Sequence, residues 1–525
     1  MRQAKLSVTW EERQRARRRL AAETGAIVKD WGGKLPWAFV YPNTYYIGMS
    51  NLGLQAVYGL INFREEALCE RVFWDDENRL KGSLPLSVES QRPLSDFAVL
   101  AFSLNYEIDY FNIAPILRAS GLPLYSAQRD ATSPLVIAGG PCITANPMPL
   151  APFFDCLCIG EAEELLPSML PVLSAGIAGD REELLKELSK IPGVYVPRCS
   201  PGKPIVRRWL KDLDRFPAHS IVLARDTELN DLYLLEVERG CGHGCQFCLV
   251  SSAYKPLRLH SVEQLTQQAR RGLAYRKRIG LVGPAVTDHP QIQDLLDRLL
   301  QMGAQFSISS LRINSLTPRL LEQMVQGGLH SIALAPEAGS EVLRQEIKKG
   351  ITENQVLEVI SSAAEKGIRQ LKLYFMLGLP RETEADIQAI VDLTLACKSI
   401  IDRMRSPTRL SLNLAPFVPK AGTPFQRLPM APLEVIRGRL SFLKGRLTPR
   451  GIQIRNESPQ WSEVQAVLAR GDAGLAEVLA EVEKASLPAW RQAIQKHGVD
   501  LDFYAHKEWK SGRKLPWSII ESGIS

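Results

Sequence analysis

Three cysteines near the middle of the chain have a spacing suited to an iron-sulfur cluster. Cys241, Cys245 and Cys248 lie in the segment CGHGCQFC, with three residues between the first two and two residues between the last two. Three thiolates on one short loop can bind three irons of a 4Fe-4S cube and leave the fourth iron open to a small molecule, whereas a purely electron-carrying cluster normally has four cysteine ligands. The glycines of the loop give its backbone the freedom to wrap closely around such a group. The spacing therefore predicts a cluster with one open iron.

Ligand type alone does not identify the metal, because thiolates also bind zinc. A zinc site needs a fourth ligand, and His243 inside the loop could supply it. The position of the loop directly after a predicted strand favours the cluster. Zinc remains the alternative.

The loop follows the first of six apolar segments that are predicted as strands. These segments are LYLLEVERG (232–240), RIGLVGPAV (278–286), QFSISSLRIN (305–314), HSIALAPEAG (330–339), LKLYFMLG (371–378) and LSLNLAPFVP (410–419). Helical patterns separate most of them, which is typical of parallel strands with helical crossovers. We expect a partial (β/α)6 TIM barrel over residues 201–430, with its chemistry at the carboxyl ends of the strands.

An earlier α/β domain is predicted over residues 37–200, where short apolar runs also alternate with helical patterns. Its segment 136–167 has strands that end in Gly-Gly and in Gly-Glu, and such glycines let the backbone approach a ligand. The Pro- and Gly-containing stretch 197–204 ends this domain. Residues 1–36 are predicted as an N-terminal helical extension, and residues 431–525 as a mostly helical region.

Length and composition agree with several soluble domains. The chain has 525 residues, of which 45% are hydrophobic, and a formal net charge of +7. No apolar stretch approaches the roughly 18 residues that a membrane span needs, and the basic N-terminus lacks an apolar signal core. We expect a cytoplasmic protein without a membrane partner.

The cysteine loop resembles the signature of the radical S-adenosylmethionine enzymes, C-x3-C-x-aromatic-C at the end of the first barrel strand. The segments 333–352 and 372–387 are similar to the fourth-strand and fifth-strand regions of many members. In that family S-adenosylmethionine chelates the open iron, and one electron cleaves it to methionine and a 5′-deoxyadenosyl radical. The resemblance implies a 4Fe-4S cluster, S-adenosylmethionine and an electron donor such as flavodoxin or ferredoxin.

The same resemblance assigns residues one by one. Cys241, Cys245 and Cys248 would bind the cluster, and Phe247 would pack near the adenine. The further residues expected near S-adenosylmethionine are Gly283, Ser309, Arg312, Glu337, Met376 and Gly378. The family places a Gly-Gly-Glu that holds the methionine amine where this chain has LVGPAV (281–286), which keeps only one glycine and no acid. Helix capping by Glu337, a surface ion pair of Arg312 and core packing of Met376 are the structural alternatives.

The first domain resembles the Rossmann-like cobalamin-binding domain that precedes the barrel in many radical enzymes. The matching positions are Gly139, Gly140, Thr144, Asp155, Gly160 and Glu161. No Asp-x-His-x-x-Gly occurs in the chain, so no histidine of that motif can ligate cobalt. Two interpretations stay open: a cobalamin bound base-off, and a domain that keeps the fold without the corrinoid.

Nearly the whole chain resembles a family of fused radical proteins with no assigned reaction. The resemblance implies a radical S-adenosylmethionine enzyme, and a C-methyltransferase if cobalamin binds. The alternatives are an RNA-modifying enzyme of the methylthiotransferase type and a non-catalytic iron-sulfur protein. A methylthiotransferase carries a second cluster, for which Cys69, Cys142 and Cys156 are the candidates, although Cys156 and Cys158 alternate along a predicted buried strand.

The segment 403–455 is basic, with eleven Lys or Arg residues and one acid, Glu434. Such a segment permits an RNA partner, because cations near phosphates release counterions. A solvated or internally neutralised basic face is the favoured interpretation.

Overall fold

The computed structural model describes residues 8–524, apart from residues 76, 77, 79–81, 201 and 230. Its first sheet has six strands in the order β2-β1-β3-β4-β5-β6, and all neighbours are parallel except β5 and β6. The strands are β1 (Leu35–Tyr41), β2 (Ala67–Phe73), β3 (Val99–Ser103), β4 (Leu135–Gly139), β5 (Cys156–Cys158) and β6 (Val194–Tyr195). The apolar runs WAFVY (37–41), FAVLAF (97–102), PLVIAGG (134–140) and FFDCLCIG (153–160) predict β1, β3, β4 and β5. The α/β prediction is thereby confirmed for this part of the chain.

Helices cover both faces of the first sheet. Before and within this region the helices are Trp10–Ala21, Tyr45–Gly48, Leu52–Asn62, Ile113–Ala119, Pro141–Ala145, Ala162–Gly176 and Arg181–Leu188. One face packs against the helices Leu52–Asn62, Ala162–Gly176 and Arg181–Leu188 in an apolar core of its own. Burial on both faces explains why the strands read as continuous apolar runs rather than as alternating ones. The predicted N-terminal extension contains the helix Trp10–Ala21, and its residues 1–7 lie outside the described residues.

A second α/β unit follows, and all six strands predicted for it are present. Its strands form two parallel sheets, in the orders β12-β11-β8 and β13-β14-β15-β16, and β9 and β10 form a short antiparallel pair. They are β8 (Leu232–Glu236), β9 (Glu238–Arg239), β10 (Arg258–Leu259), β11 (Arg278–Val282), β12 (Gln305–Ile308), β13 (Ser331–Glu337), β14 (Gln370–Leu377), β15 (Arg409–Pro416) and β16 (Gln453–Asn456). The closure of these sheets into a partial barrel stays a prediction.

The helices of the second unit lie between its strands, as the pattern predicts. They are Val250–Ala253, Val262–Leu273, Ile292–Gln301, Pro318–Gln326, Glu341–Glu346, Glu353–Glu365, Glu384–Arg403 and Leu433–Leu447. The helices after β16 are Pro459–Arg470, Leu475–Glu481, Leu487–Lys496 and Leu501–Ala505. The region 431–525 is thus mostly helical, but β16 and the short strand β17 (Ile520–Glu521) interrupt it. β17 pairs with β7 (Ile205–Val206), and this pairing ties the end of the described chain to the linker between the two units.

The C-terminal helices return to the first domain and cover the second face of its sheet. The ring of Phe111 contacts Trp461 and Trp490 edge to face, with centroids 6.1 and 5.4 Å apart. One continuous apolar core joins this face, the second α/β unit and the C-terminal helices. The two units are therefore packed together rather than connected only by a linker. Among the described residues, no helix is both long enough and apolar enough to cross a membrane.

A buried ion triad fixes the N-terminal extension on the first sheet. Arg71 of β2 is fully buried and binds Glu23 at 2.6 Å and Glu89 at 2.7 Å. Its guanidinium also lies over the ring of Tyr58, 4.9 Å from the centroid. Two buried carboxylates thus depend on one cation.

We expect Arg71→Met to destabilise the protein by about 3–5 kcal/mol, because it leaves Glu23 and Glu89 buried without their cation. Thermal unfolding followed by calorimetry would measure the loss. The control is Lys186→Met, which removes an exposed partner of Glu183 and should change stability by about 0.5 kcal/mol or less. Equal unfolding temperatures for the two variants would contradict the proposed importance of the triad.

Candidate functional site

The cysteine loop begins directly after β9, at the carboxyl end of β8. Cys245 is 7% exposed, and Cys241 and Cys248 are partly buried. The backbone N–H of Gln246 donates to the carbonyl of Ile347 at 3.1 Å, and the carbonyl of Gln246 accepts from the N–H of Phe425 at 3.1 Å. The loop is therefore held between the segments that follow β13 and β15.

Positive charges lie near two of the three thiols of the loop. Burial raises the pKa of Cys241 and Cys245, and the positive charge of Arg312 lowers both values in part, joined by that of Lys349 at Cys245. The three thiols are close enough to affect one another electrostatically. Buried thiols that lose their protons need positive charge nearby, and a cluster of iron ions would supply it. The soft sulfur donors and their loop thus fit the predicted cluster.

The zinc alternative receives less support. Nε2 of His243 lies 2.5 Å from Oδ2 of Asp288, so this ring nitrogen already has a carboxylate partner. Within the described part of the chain, no three Cys, His, Asp or Glu side chains converge closely enough to hold one metal ion.

Arg312 reaches the cysteine loop from the segment after β12. It is 8% exposed, and its guanidinium lies 3.5 Å from Asp288 and donates to the carbonyl of Lys349 at 3.3 Å. The alternative of an ordinary surface ion pair is therefore wrong for Arg312.

Glu337 ends β13 with an unusual backbone. Its φ is 71°, in the left-handed region that side chains other than glycine rarely adopt, and the register of β13 shifts at this point. Its carboxylate accepts from Nζ of Lys349 at 3.0 Å. The helix Glu341–Glu346 has Ser340 as its N-cap, so the capping alternative for Glu337 is wrong. Backbone strain of this kind is concentrated at functional sites.

Phe247 and Met376 pack in the same small apolar cluster beside the loop. The buried members of this cluster are Ala338, Leu343, Ile347, Leu379 and Phe417. The prediction that these two side chains share one site is compatible with this packing. Gly378 has a φ of 79°, and a Cβ there would lie 2.7 Å from that of Ala431, so close packing also accounts for this glycine.

Gly283 and Ser309 lie together at the ends of β11 and β12. The hydroxyl of Ser309 accepts from the N–H of Gly283 at 3.2 Å and donates to its carbonyl at 3.1 Å. A Cβ on Gly283 would meet Cγ of Glu238 at 2.7 Å. Sequence analysis missed Glu238, although an acid three residues before Cys241 was a visible signal. Burial raises the pKa of Glu238 to about 7.

A cavity of about 400 Å³ lies between the first sheet and the second α/β unit. The inner wall of the cavity is apolar and is formed where the first sheet packs against its helices. The residues of this wall are Trp37, Phe39, Ile61, Ile137, Leu165, Leu166 and Met169. Asn51, Ser103 and Asn105 supply polar groups, and Glu236, Arg239, Tyr254 and Val282 line it from the second unit. The sequence analysis singled out none of these residues, because they come together only in the folded chain.

Four of the predicted corrinoid residues line this cavity: Gly139, Gly140, Gly160 and Glu161. Thr144 does not line it, and its hydroxyl accepts from the N–H of Gly160 at 3.2 Å. Asp155 lies elsewhere, where it is buried and paired with Arg129 and Arg181 at 3.2 and 2.7 Å. Asp155 is therefore a structural residue.

Glu161 connects the cavity to the cysteine loop. Its carboxylate pairs with Arg239 and Arg258 at 2.9 Å each and accepts from the N–H of Leu210 at 3.0 Å. Arg239 is two residues before Cys241. The wall of the cavity and the start of the loop are thus joined by buried ion pairs.

Two protein-family models match parts of this chain. Residues 53–197 match the family model described as radical SAM proteins, N-terminal, and residues 235–394 match that of the radical SAM superfamily. An uncharacterized protein of Methanocaldococcus jannaschii is 28% identical over 84% of this chain and 90% of its own length. An uncharacterized methyltransferase of Pyrococcus horikoshii is 28% identical over 49% of this chain and 56% of its own length.

A tRNA-2-methylthio-N(6)-dimethylallyladenosine synthase of Acidithiobacillus ferrooxidans is 28% identical over 40% of this chain and 48% of its own length. Among solved structures, the radical S-adenosylmethionine methyltransferase TsrM of Kitasatospora setae has a similar fold, with a TM-score of 0.50 and 13% identity over 76% of this chain and 78% of its own. The two family models together cover more than half of the 525 residues. The chain belongs to the radical S-adenosylmethionine superfamily of enzymes.

Proposed function

We propose that this enzyme transfers a methyl group to a carbon atom of its substrate, with a corrinoid bound in the cavity between the first sheet and the second α/β unit. The observation that carries the proposal is this cavity of about 400 Å³, which has an apolar inner wall and is bordered by the strand that leads into the cysteine loop. If this domain bound no ligand, side chains would be expected to fill such a space, because protein interiors are close-packed.

Cys241, Cys245 and Cys248 would hold the cluster, whose open iron would bind S-adenosylmethionine. When bound, these groups supply a 5′-deoxyadenosyl radical. The apolar cluster around Phe247 and Met376 offers a surface for the adenine. Glu337 with Lys349 and the buried guanidinium of Arg312 offer charged groups for the methionine end and the ribose. Cys245 is buried, which shields its sulfur from water.

The cavity has the features that a corrinoid requires. Its apolar inner wall suits the aromatic base of the nucleotide tail, and Asn51, Ser103 and Asn105 can hydrogen-bond to amide side chains. The strand ends at Gly140 and Gly160 have φ angles of 111° and 127°, and they let backbone approach a large ring closely. A bound methylcorrinoid would supply the methyl group. None of the described residues that line the cavity is a histidine.

Methylthiolation of RNA is the second candidate, because one relative is a tRNA-modifying synthase. The three thiols available for a second cluster do not support it. Cys69 and Cys156 lie in the core on one face of the first sheet, and Cys142 lies in the core on the other face. Burial raises the pKa of all three far above the usual value, which favours neutral thiols.

The basic segment 403–455 adds little to the RNA proposal. Lys420 pairs with Glu107 at 2.7 Å, and Arg439 pairs with Glu382 at 2.5 Å and with Glu384 at 3.2 Å. Internal carboxylates thus neutralise some of its charge. Other cations of the segment are exposed, among them Arg437, Lys444, Arg450 and Arg455. Methyl transfer with a corrinoid is therefore the better-supported function.

The direct test is anaerobic reconstitution with iron and sulfide, then incubation with dithionite, S-adenosylmethionine and hydroxocobalamin. Mass spectrometry would detect 5′-deoxyadenosine, and absorbance would measure the corrinoid that stays with the protein after gel filtration. Both signals together support the proposal. Deoxyadenosine without retained corrinoid would leave a radical enzyme and contradict the methyl-transfer mechanism proposed here.

We expect Cys245→Ala to reduce the iron content of the reconstituted protein from about four per chain to near zero, because the loop loses its most buried ligand. Iron and sulfide assays and electron paramagnetic resonance after reduction would measure this. The matched control is Cys199→Ala in the linker, which should keep the full content. Full cluster iron in the Cys245 variant would show that the ligands are wrongly assigned.

We expect Ala162→Trp to abolish retention of hydroxocobalamin, because the indole would fill part of the cavity at the first residue of the helix Ala162–Gly176. Ala175→Trp is the matched control, since it places the same side chain at an exposed position of the same helix. The ratio of bound corrinoid to protein is read from absorbance. Equal retention by the two variants would place the corrinoid outside this cavity.

A further inference from the structure

Glu238 is a buried carboxylate beside the cysteine loop. It is 2% exposed and lies three residues before Cys241. One carboxylate oxygen accepts a hydrogen bond from the backbone N–H of Ala285, and the other, Oε2, is buried without a hydrogen-bond partner. Buried polar atoms are nearly always paired, so an unpaired oxygen in this position needs an explanation.

The charged surroundings of Glu238 differ from those of the neighbouring acid Glu236. Among the described residues no Lys, Arg or His forms an ion pair with Glu238, and the charged side chain that acts on it is Asp288, which has the same sign. Glu236, two residues earlier, is neutralised by Arg239 at 2.8 Å. The fold thus pairs one of two neighbouring acids and leaves the other without a partner. A buried carboxylate without a cation is unfavourable in its charged form, which is why burial raises its pKa, and a cation that reached it would stabilise that charged form.

Glu238 lies beside a segment that lacks an acidic residue of its own. The segment LVGPAV (281–286) stands where related enzymes carry an acid for the methionine amine, and it has none. The carboxylate of Glu238 binds the N–H of Ala285 in that segment, and its Cγ fills the space beside Gly283. An acid from β9 therefore lies at the end of β11, where that strand lacks one of its own.

We propose that Glu238 binds the ammonium group of the methionine part of S-adenosylmethionine. The inference rests on the proposed binding of this molecule at the cluster, and it assigns the residue that recognises its amine. An ammonium group donates three hydrogen bonds and carries the charge that the site lacks. Oε2 is the atom that accepts. Glu238 is a binding residue here, and no bond of the reaction is made or broken at its carboxylate.

The test compares two ligands on reconstituted protein under anaerobic conditions. One ligand is S-adenosylmethionine, and the other is an analogue in which hydrogen replaces the amino group. Glu238→Gln keeps the size of the side chain and its bond from Ala285 but removes the charge. We expect it to weaken the binding of S-adenosylmethionine by about 10- to 100-fold, as for the loss of a charge-assisted hydrogen bond, and to leave the binding of the analogue unchanged.

Equilibrium dialysis measures both affinities, and cluster iron and circular dichroism show whether the variant assembles and folds. The matched control is Glu358→Gln, at an exposed glutamate of the helix Glu353–Glu365, which should bind both ligands like the unmodified protein. Unchanged binding of S-adenosylmethionine by Glu238→Gln would overturn the assignment. An equal loss for both ligands would also overturn it, because a purely structural role affects them alike. Failure of the unmodified protein to bind S-adenosylmethionine would instead contradict the proposed function, and the assignment with it.

Discussion

One buried carboxylate, that of Glu161, joins the two α/β units of the molecule. It pairs with Arg239 and Arg258 at 2.9 Å each, and these two arginines lie on either side of the cysteine loop. Buried charges are stable only with their partners in place. This network therefore fixes the segment that follows β5 relative to both ends of the cysteine loop. A reaction that brings groups from two sites together requires such a fixed relation, since small displacements of reacting groups cost much of the rate. The resemblance to corrinoid domains pointed to Glu161 as a cofactor residue, and the structure adds its role as the connection between the units.

Most strands could be predicted from the sequence because burial on both faces turns them into short, continuous apolar runs. β2 was missed because its segment ALCERVF contains Glu70 and Arg71, which look like solvent-facing residues. The fold buries both and pairs them with side chains far away in the sequence, such as Glu23 and Trp31. β16 has only four residues, mostly exposed, and it is a strand because β15 offers it an edge. Long-range pairing of this kind leaves no local pattern.

The residues of the candidate site also fall into two groups: those that a local sequence pattern indicates, and those that come together only in the folded chain. The three cysteines and Phe247 are local in sequence, so their spacing alone indicated the chemistry. Arg312 and Glu337 were found through a resemblance. The structure adds Lys349, whose ammonium group pairs with Glu337 and whose backbone carbonyl accepts from Arg312. The cavity could not be predicted beyond its glycines, because Asn51, Asn105 and Tyr254 approach one another only when the sheet, its helices and the second unit pack together.

Buried charge also separates structural residues from candidate functional ones. Asp155 and Arg71 are as deeply buried as any group in the site, yet each has its counter-charges within the chain, and each is explained by the stability of the fold. Glu238 is equally buried but lacks a cation, and Glu337 meets its cation only with a strained backbone. Both exceptions lie at strand ends beside the cysteine loop. Unfavourable local interactions persist in a folded protein when the surrounding structure holds them in place. Strained or uncompensated groups cluster at functional sites, so the position of Glu238 and Glu337 at this one edge supports, independently of any motif, the proposal of a ligand there.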